Sequence, residues 1–246
     1  GQLEQSLATL VHLRSISPKH SHVLNLLAQL YEKLNSWQEL KDLLPDLKKH
    51  KIINNQELYR LQKIVFQQLL KQAAKVENAS SVTSTSESPD HLIAIWQSLP
   101  KELKNDTDLI LDYSVQLIQF KQDDIAEPLL KAAIKHQWLT QFVYLYGLVN
   151  ATQAQQQLDF TESLIKQHGQ NPVLLLTLGR LCLTQKLWGK AQACFEASIG
   201  ITPMPETYKE LGELMEQLEE SEKASEYFKQ GLLLTENNFS YQKLPV

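Results

Sequence analysis

The chain is written in apolar residues spaced three and four apart, interrupted at short polar turns, which is the pattern of amphipathic helices packed on one face. The clearest stretch, Asn171 to Gln230, repeats itself. With a shift of 33, Leu175 falls on Tyr208, Leu178-Gly179 on Leu211-Gly212, Ala191 on Ala224 and Phe195 on Phe228. A period in the low thirties with small residues at fixed places predicts a repeated helix-turn-helix unit. Gly179 and Ala191 are expected where helix A and helix B of one unit cross, because only small side chains let two helix axes approach to about 8 Å. Phe195 then covers the seam and Pro203 closes helix B.

Elsewhere the same pattern is less regular. Residues 1–18 read as a helix B whose helix A is missing, since Ser6, Leu10, Leu13 and Pro18 keep the spacing of Ala191, Phe195, Ser198 and Pro203. A fragment of a longer protein is therefore expected, with Gly1 as a possible cloning remnant. The next unit carries Leu24, Leu27, Ala28 and Tyr31 in helix A, Trp37 at the turn, and Leu40, Leu44 and Leu47 in a helix B that Pro45 should interrupt. Asn54-Asn55 offers an N-cap to a long helix through about Val76, with its Gln and Lys facing water. ENASSVTSTSESPD, 77–90, is too polar to bury surface and reads as a loop or linker. A short helix over 91–99 stops at Pro100. Thr107 opens a unit with Ile110, Tyr113, Ser114 and Leu117, and Asp123-Asp124 caps a helix B in which Pro128 should force a kink or a later start. The following unit places Val143, Tyr146 and Gly147 in helix A, and Asp159 or Phe160 at the small-residue position of helix B. Ser114, Gly147, Gly179 and Gly212 step by 33, 32 and 33, which makes the C-terminal portion one continuous array. The last helix should end near Thr235 at Asn237-Asn238, with FSYQKLPV as a cap or a frayed tail. Three regions follow: 1–76 N-terminal helical repeats, 77–90 a linker, and 91–246 the C-terminal array.

Composition narrows the function. Of 246 residues only eight are Gly and nine Pro, which favours helix throughout. The net charge of −4 and three arginines give no basic field, so nucleic acid is not expected as a partner. Phosphate-cradling, zinc-protease and nucleophile-elbow motifs are absent from the sequence. His20 and His22, with His12 nearby, lack a third ligand at helical spacing and read as surface histidines. Cys182 and Cys194, on facing helices of one unit, read as small core residues. Glu210, Glu213, Glu216, Glu219 and Glu220 form an acidic face, read as solvated.

In its repeated small and aromatic positions the chain resembles the tetratricopeptide family. That resemblance implies an all-α, right-handed superhelix whose helix A residues line a concave groove. By alignment the groove residues are Asn25, Gln29, Leu111, Asp112, Val115, Tyr144, Leu145, Leu148, Leu176, Thr177, Arg180, Lys209 and Glu213. The strongest candidates for partner contact are Asn25, Gln29, Asp112, Val115, Tyr144, Leu148, Leu176, Arg180 and Lys209. Arg180 is the one arginine of the C-terminal half, suited to a carboxylate of a partner or to a local ion pair. The position at which co-chaperone repeats place their carboxylate-clamping residues holds Asn25, Leu111, Tyr144, Leu176 and Lys209, which disfavours a chaperone-tail receptor.

LLLTLGRLCLTQKLWGKAQACFEASI, with its LWGKA element at Leu187 to Ala191, and the preceding QWLTQFVYLYG resemble the HemY family of bacterial tetratricopeptide proteins associated with haem biosynthesis. The resemblance implies a non-catalytic scaffold for late haem-pathway enzymes. It also implies inner-membrane association through N-terminal helices missing from this sequence, with this portion soluble on the cytoplasmic side. The alternative is a carrier of haem or a porphyrin, held by Tyr144, Leu148, Leu176 and Arg180. No catalytic residue, metal or obligatory cofactor is carried over.

Overall fold

The computed structural model describes the backbone over residues 2–80 and 89–241, and side chains over 3–74 and 89–235. Among the described residues there are helices and turns and no strand. The fold is an all-α tetratricopeptide solenoid, built from paired helices. Internal packing divides it into two compact units, 1–116 and 117–246.

The first unit holds α1 (Gln2–Ile16), α2 (Ser21–Lys33), α3 (Trp37–Lys49), α4 (Asn55–Ser80), α5 (Asp90–Gln97), a 3-10 turn (Lys101–Leu103) and most of α6 (Thr107–Gln119). Its core is leucine-rich: Leu24, Leu27, Leu40, Leu43, Leu47, Leu70, Leu92 and Leu103 have no exposure. The Asn54 side chain caps α4, its Oδ1 accepting from the Glu57 N–H at 2.7 Å. Asp106 does the same for α6, accepting from the N–H groups of Asp108 and Leu109 at 3.1 and 3.2 Å. Trp96 of α5 lies flat on Tyr113 of α6, centroids 4.3 Å apart. The helix expected to end near Val76 runs on through Ser80, and the rest of the Ser/Thr stretch, 81–88, lies outside the described residues.

The second unit holds α7 (Asp123–His136), α8 (Thr140–Tyr146), α9 (Ala154–His168), α10 (Pro172–Thr184), α11 (Trp188–Ile201), α12 (Pro205–Gln217) and α13 (Ser221–Tyr241). The repeated small residues act as expected. A methyl group built on Gly179 would stand 2.3 Å from Cε1 of Phe195, and one on Gly212 would stand 2.5 Å from Cε1 of Phe228. Each glycine thus leaves room for the ring of its own helix B. Gly147 differs, because its free space is taken by Thr177 of α10, whose Oγ1 would lie 2.9 Å from an added Cβ and donates to the Val143 carbonyl at 2.8 Å.

Four helix A to helix B turns share one backbone solution. Asn35, Lys121, Lys186 and Glu219 all have positive φ, between 54 and 62°. In each, the N–H of the next residue reaches back to a carbonyl of the last helical turn, Ser36 to Tyr31, Gln122 to Leu117, Leu187 to Cys182 and Glu220 to Met215. This is the Schellman arrangement that glycine usually supplies. Here it is made without one.

Several expectations need correction. Pro45 and Pro128 sit inside continuous helices, and both are exposed, so the carbonyl each leaves without a donor can be hydrated. Helix α7 starts at Asp123 with Gln122 as its cap residue and no side-chain cap bond. Asp123 and Asp124 are therefore first-turn acids favoured by the helix dipole. The backbone of α13 continues past Asn237-Asn238 to Tyr241, as suits a residue that is a weak helix former and not a breaker. The tail beyond it lies outside the described residues.

A candidate partner-binding surface

In the first unit, α2 places Asn25 half-buried and Gln29 exposed, and α6 places Leu111, Asp112 and Val115 half-buried. Also in this unit is α4, whose Leu58, Leu61, Val65 and Leu69 form one apolar stripe in the sequence, with the Gln and Lys between them expected to face water. It behaves as a third helix A. Its Arg60 bonds Glu57 at 2.7 Å and reaches Glu32 of α2 at 3.3 Å. Its Lys63 pairs with Asp106 at 3.0 Å and Asp108 at 2.6 Å, and its Gln67 donates to Asp112 at 3.2 Å. Tyr59 adds a bond to Asp106 at 2.6 Å.

The Asp106 carboxyl is largely removed from water, its side chain 8% exposed. That burial pushes its pKa up, but Tyr59, Lys63 and the Leu109 N–H outweigh it and hold the group below the ordinary 3.8. The face of the first unit is thus polar and internally paired. Arg60, Lys63 and Gln67 were missed because α4 lacks the small-residue signature of a repeat. The available signal was their spacing, which sets two cations and an amide against Glu32, Asp106, Asp108 and Asp112.

In the second unit, three successive helix A elements bring together Tyr144 of α8, Arg180 of α10 and Glu210 of α12. The guanidinium carbon of Arg180 lies 5.0 Å from the centre of the Tyr144 ring, and its Nε donates to Glu210 Oε1 at 2.7 Å. Arg180 is only 10% exposed and Glu210 17%. The arginine expected on an open groove wall is instead sunk between neighbours, and its Nη1 is buried without an acceptor. A buried guanidinium N–H left unpaired carries a desolvation cost larger than that of a neutral donor.

Not every groove candidate is accessible. Leu176 has no exposure and neither has Thr177, so both leave the set of contact residues. Tyr144 and Leu145 remain half-buried, Leu148 is 37% exposed, and Lys209 is well exposed and paired with Glu213 at 3.3 Å.

One structural departure sits beneath this lane. Helix α8 has seven residues, where α10 and α12 have thirteen. The carbonyls freed at its early end are met from below by Gln157, 1% exposed, whose Nε2 donates to the Tyr146 and Val149 oxygens at 2.9 and 3.0 Å. Gln157 is the fourth residue of α9, as Ala126, Ala191 and Ala224 are of α7, α11 and α13. The crossing position expected at Asp159 or Phe160 is therefore Gln157. Tyr146 in turn donates to Glu127 at 2.7 Å, and Phe160 meets its ring edge-on.

His20 and His22 are exposed where α2 begins, and His12 is exposed on α1. Among the described residues no group of three or more metal-binding side chains comes together, and no helix is long and apolar enough to cross a membrane.

No family profile matches the chain. It is 23% identical to the protein HemY of Escherichia coli strain K12 over 226 residues, which is 92% of this chain and 54% of that protein. The chain thus spans about half the length of the curated relatives it matches. Among solved structures it is similar to MamA, at 21% identity and a TM-score of 0.43, covering 62% of this chain and 91% of that one. It is also similar to a chain of the APC/C hetero-tetramer Cut9-Hcn1, at 14% identity and a TM-score of 0.49, covering 86% of this chain and 45% of that one.

Proposed function

Because the chain is a HemY-like tetratricopeptide protein, we propose that it is a non-catalytic scaffold whose helix A faces hold segments of partner proteins. The partners we infer are late enzymes of haem biosynthesis, gathered at the bacterial inner membrane by an anchor outside this chain, with this portion on the cytoplasmic side. The observation that carries the reading is the Tyr144, Arg180, Glu210 lane. Its guanidinium is held by an aromatic face and one carboxylate, yet one of its nitrogens lacks an acceptor. A backbone carbonyl or carboxylate of a partner segment, admitted by rotation of the Tyr144 ring, would satisfy it. Exposed Leu148, in the turn that follows α8, supplies apolar contact beside it. The first unit is the weaker candidate, since its cross-helix groups already satisfy one another.

The porphyrin-carrier alternative loses support from the burial of Leu176, one of its four walls. The test is a crosslinked pull-down from bacterial membranes with the parent chain, Leu148→Glu, and a Tyr144→Ala, Arg180→Gln double variant, each first shown to melt cooperatively. Recovery of a haem-pathway enzyme by the parent and its loss in both variants is the expected result. Equal recovery by all three, or recovery by none together with a Soret shift on adding a porphyrin, would overturn the scaffold reading at this surface.

A further inference from the structure

The second unit holds two free cysteines on the facing helices of one pair, Cys182 on α10 and Cys194 on α11. The two helices are closely packed there, because Gly179, three residues before Cys182, is pressed by the ring of Phe195, the residue after Cys194. Ala191, one turn before Cys194, and Cys182 are both without exposure, so the two helices touch along this seam. Both thiols sit beside the same ion pair, Lys190 with Glu162, and they interact directly with each other. Their environments differ. Cys182 is sealed in the core, whereas Cys194 is partly open to solvent.

We propose that Cys194 and Cys182 form a peroxide-reactive dithiol site, with Cys194 as the attacking thiolate and Cys182 as the resolving thiol. The hydrogen bond from the Cys182 thiol and the charge of Lys190 hold the Cys194 thiol below its ordinary range, against burial and Glu162. Cys182 is pushed up, by its contact with Cys194 and by burial. The assignment of roles rests on access: only Cys194 can meet a solution oxidant without unfolding the pair. In the first step the Cys194 thiolate attacks one oxygen of a hydroperoxide, the O–O bond breaks, and the released alkoxide or hydroxide takes a proton. Cys194 becomes a sulfenic acid. In the second step the Cys182 sulfur attacks the Cys194 sulfur, the S–O bond breaks, and the hydroxide leaves with the Cys182 proton as water. Two thiols have lost two electrons and two protons, and the hydroperoxide has accepted them. The product ties α10 to α11 and fixes the pair that carries Arg180.

The experiment uses the reduced chain and hydrogen peroxide, followed by intact mass and peptide mapping without reductant. The expected result is a mass lower by two hydrogens and a linked peptide pair containing Cys182 and Cys194. In Cys182→Ser the reaction should stop at the sulfenic acid, which a cyclic 1,3-diketone traps at Cys194. In Cys194→Ser, Cys182 should stay unreacted while the protein is folded. The proposal is overturned if the parent gains oxygen at Cys194 without forming the intramolecular link. It also fails if Cys182 is labelled as fast as Cys194, or if only intermolecular disulfides appear. Circular dichroism before and after treatment confirms that each variant reacts as a folded protein.

Discussion

Gly179→Ala is the most direct test of how the second unit is packed, because two effects of known sign oppose each other there. Replacing a mid-helix glycine with alanine favours the helix by about 0.8–1 kcal/mol. Against this, the new methyl would sit 2.3, 2.6 and 2.8 Å from Cε1, Cδ1 and Cζ of Phe195. The ring has no exposure and so no free direction in which to swing. Overpacking of this kind costs about 1–3 kcal/mol. Three short contacts against a sealed ring place the cost toward the upper end, so we expect a net loss of about 1–2 kcal/mol from the difference of the two terms. For a chain of this length that lowers the melting temperature by roughly 2–8 °C. Phe195→Leu should reverse the sign. Alone it destabilises, but in its presence Gly179→Ala should become neutral or stabilising, giving a coupling of about 1 kcal/mol or more in a double-mutant cycle. Urea midpoints at unchanged slope are the assay. If Gly179→Ala alone raises the midpoint, or the cycle shows no coupling, then the ring and the glycine do not meet as described.

Three further outcomes follow from other parts of the molecule. Gln157→Leu keeps the volume of the side chain but takes its donor from the Val149 carbonyl and leaves the Tyr146 carbonyl only the 3.4 Å bond from the Val149 N–H, and should cost about 1–3 kcal/mol, with amides of α8 exchanging faster by hydrogen-exchange mass spectrometry. Lys186→Gly relieves a side chain held at φ 59°; left-handed strain of about 1–2 kcal/mol offset by about 0.5–1 of glycine entropy leaves a gain of roughly 0.5–1 kcal/mol, which a higher melting temperature would register. Asp106, whose folded pKa lies below 3.8, contributes stability that is complete above that value and lost as pH falls through the folded pKa. Acid titration of the parent should therefore show a loss in this window that Asp106→Asn lacks, and identical acid profiles would remove the carboxylate from its assigned role.

The parts of this fold that were legible in the sequence are those set by side-chain size. Gly179, Gly212, Ala191, Ala224, Phe195 and Phe228 announce themselves because steric fit at a crossing admits few alternatives. What stayed hidden is what the backbone does with ordinary residues. The left-handed turn positions carry Asn35, Lys121, Lys186 and Glu219, so no glycine marks them. The crossing residue of α9 escaped notice because Gln157 stands among other glutamines, and its fitness for the place depends on a helix ending six residues early. On the candidate surface, alignment put Tyr144, Arg180 and Lys209 on helix A elements, where they lie on α8, α10 and α12, while Leu148 falls in the turn after α8. It could not see that Leu176 would be buried or that Arg180 would be held between Tyr144 and Glu210. Nor could it see that α4 would offer Arg60, Lys63 and Gln67, since a helix without the repeat's small residues gives no register from which to count.

The shortened helix α8 has a mechanical consequence. Along a stack of helix pairs load passes from neighbour to neighbour, and each junction bears it through the contact it owns. Between α8 and α9 that junction is half a helix, one edge-on ring contact from Phe160 to Tyr146 and an amide hooked over two carbonyl oxygens. Pulled from opposite ends, the second unit would give way there first, paying out slack at 147–153 while α10 to α13 stayed closed.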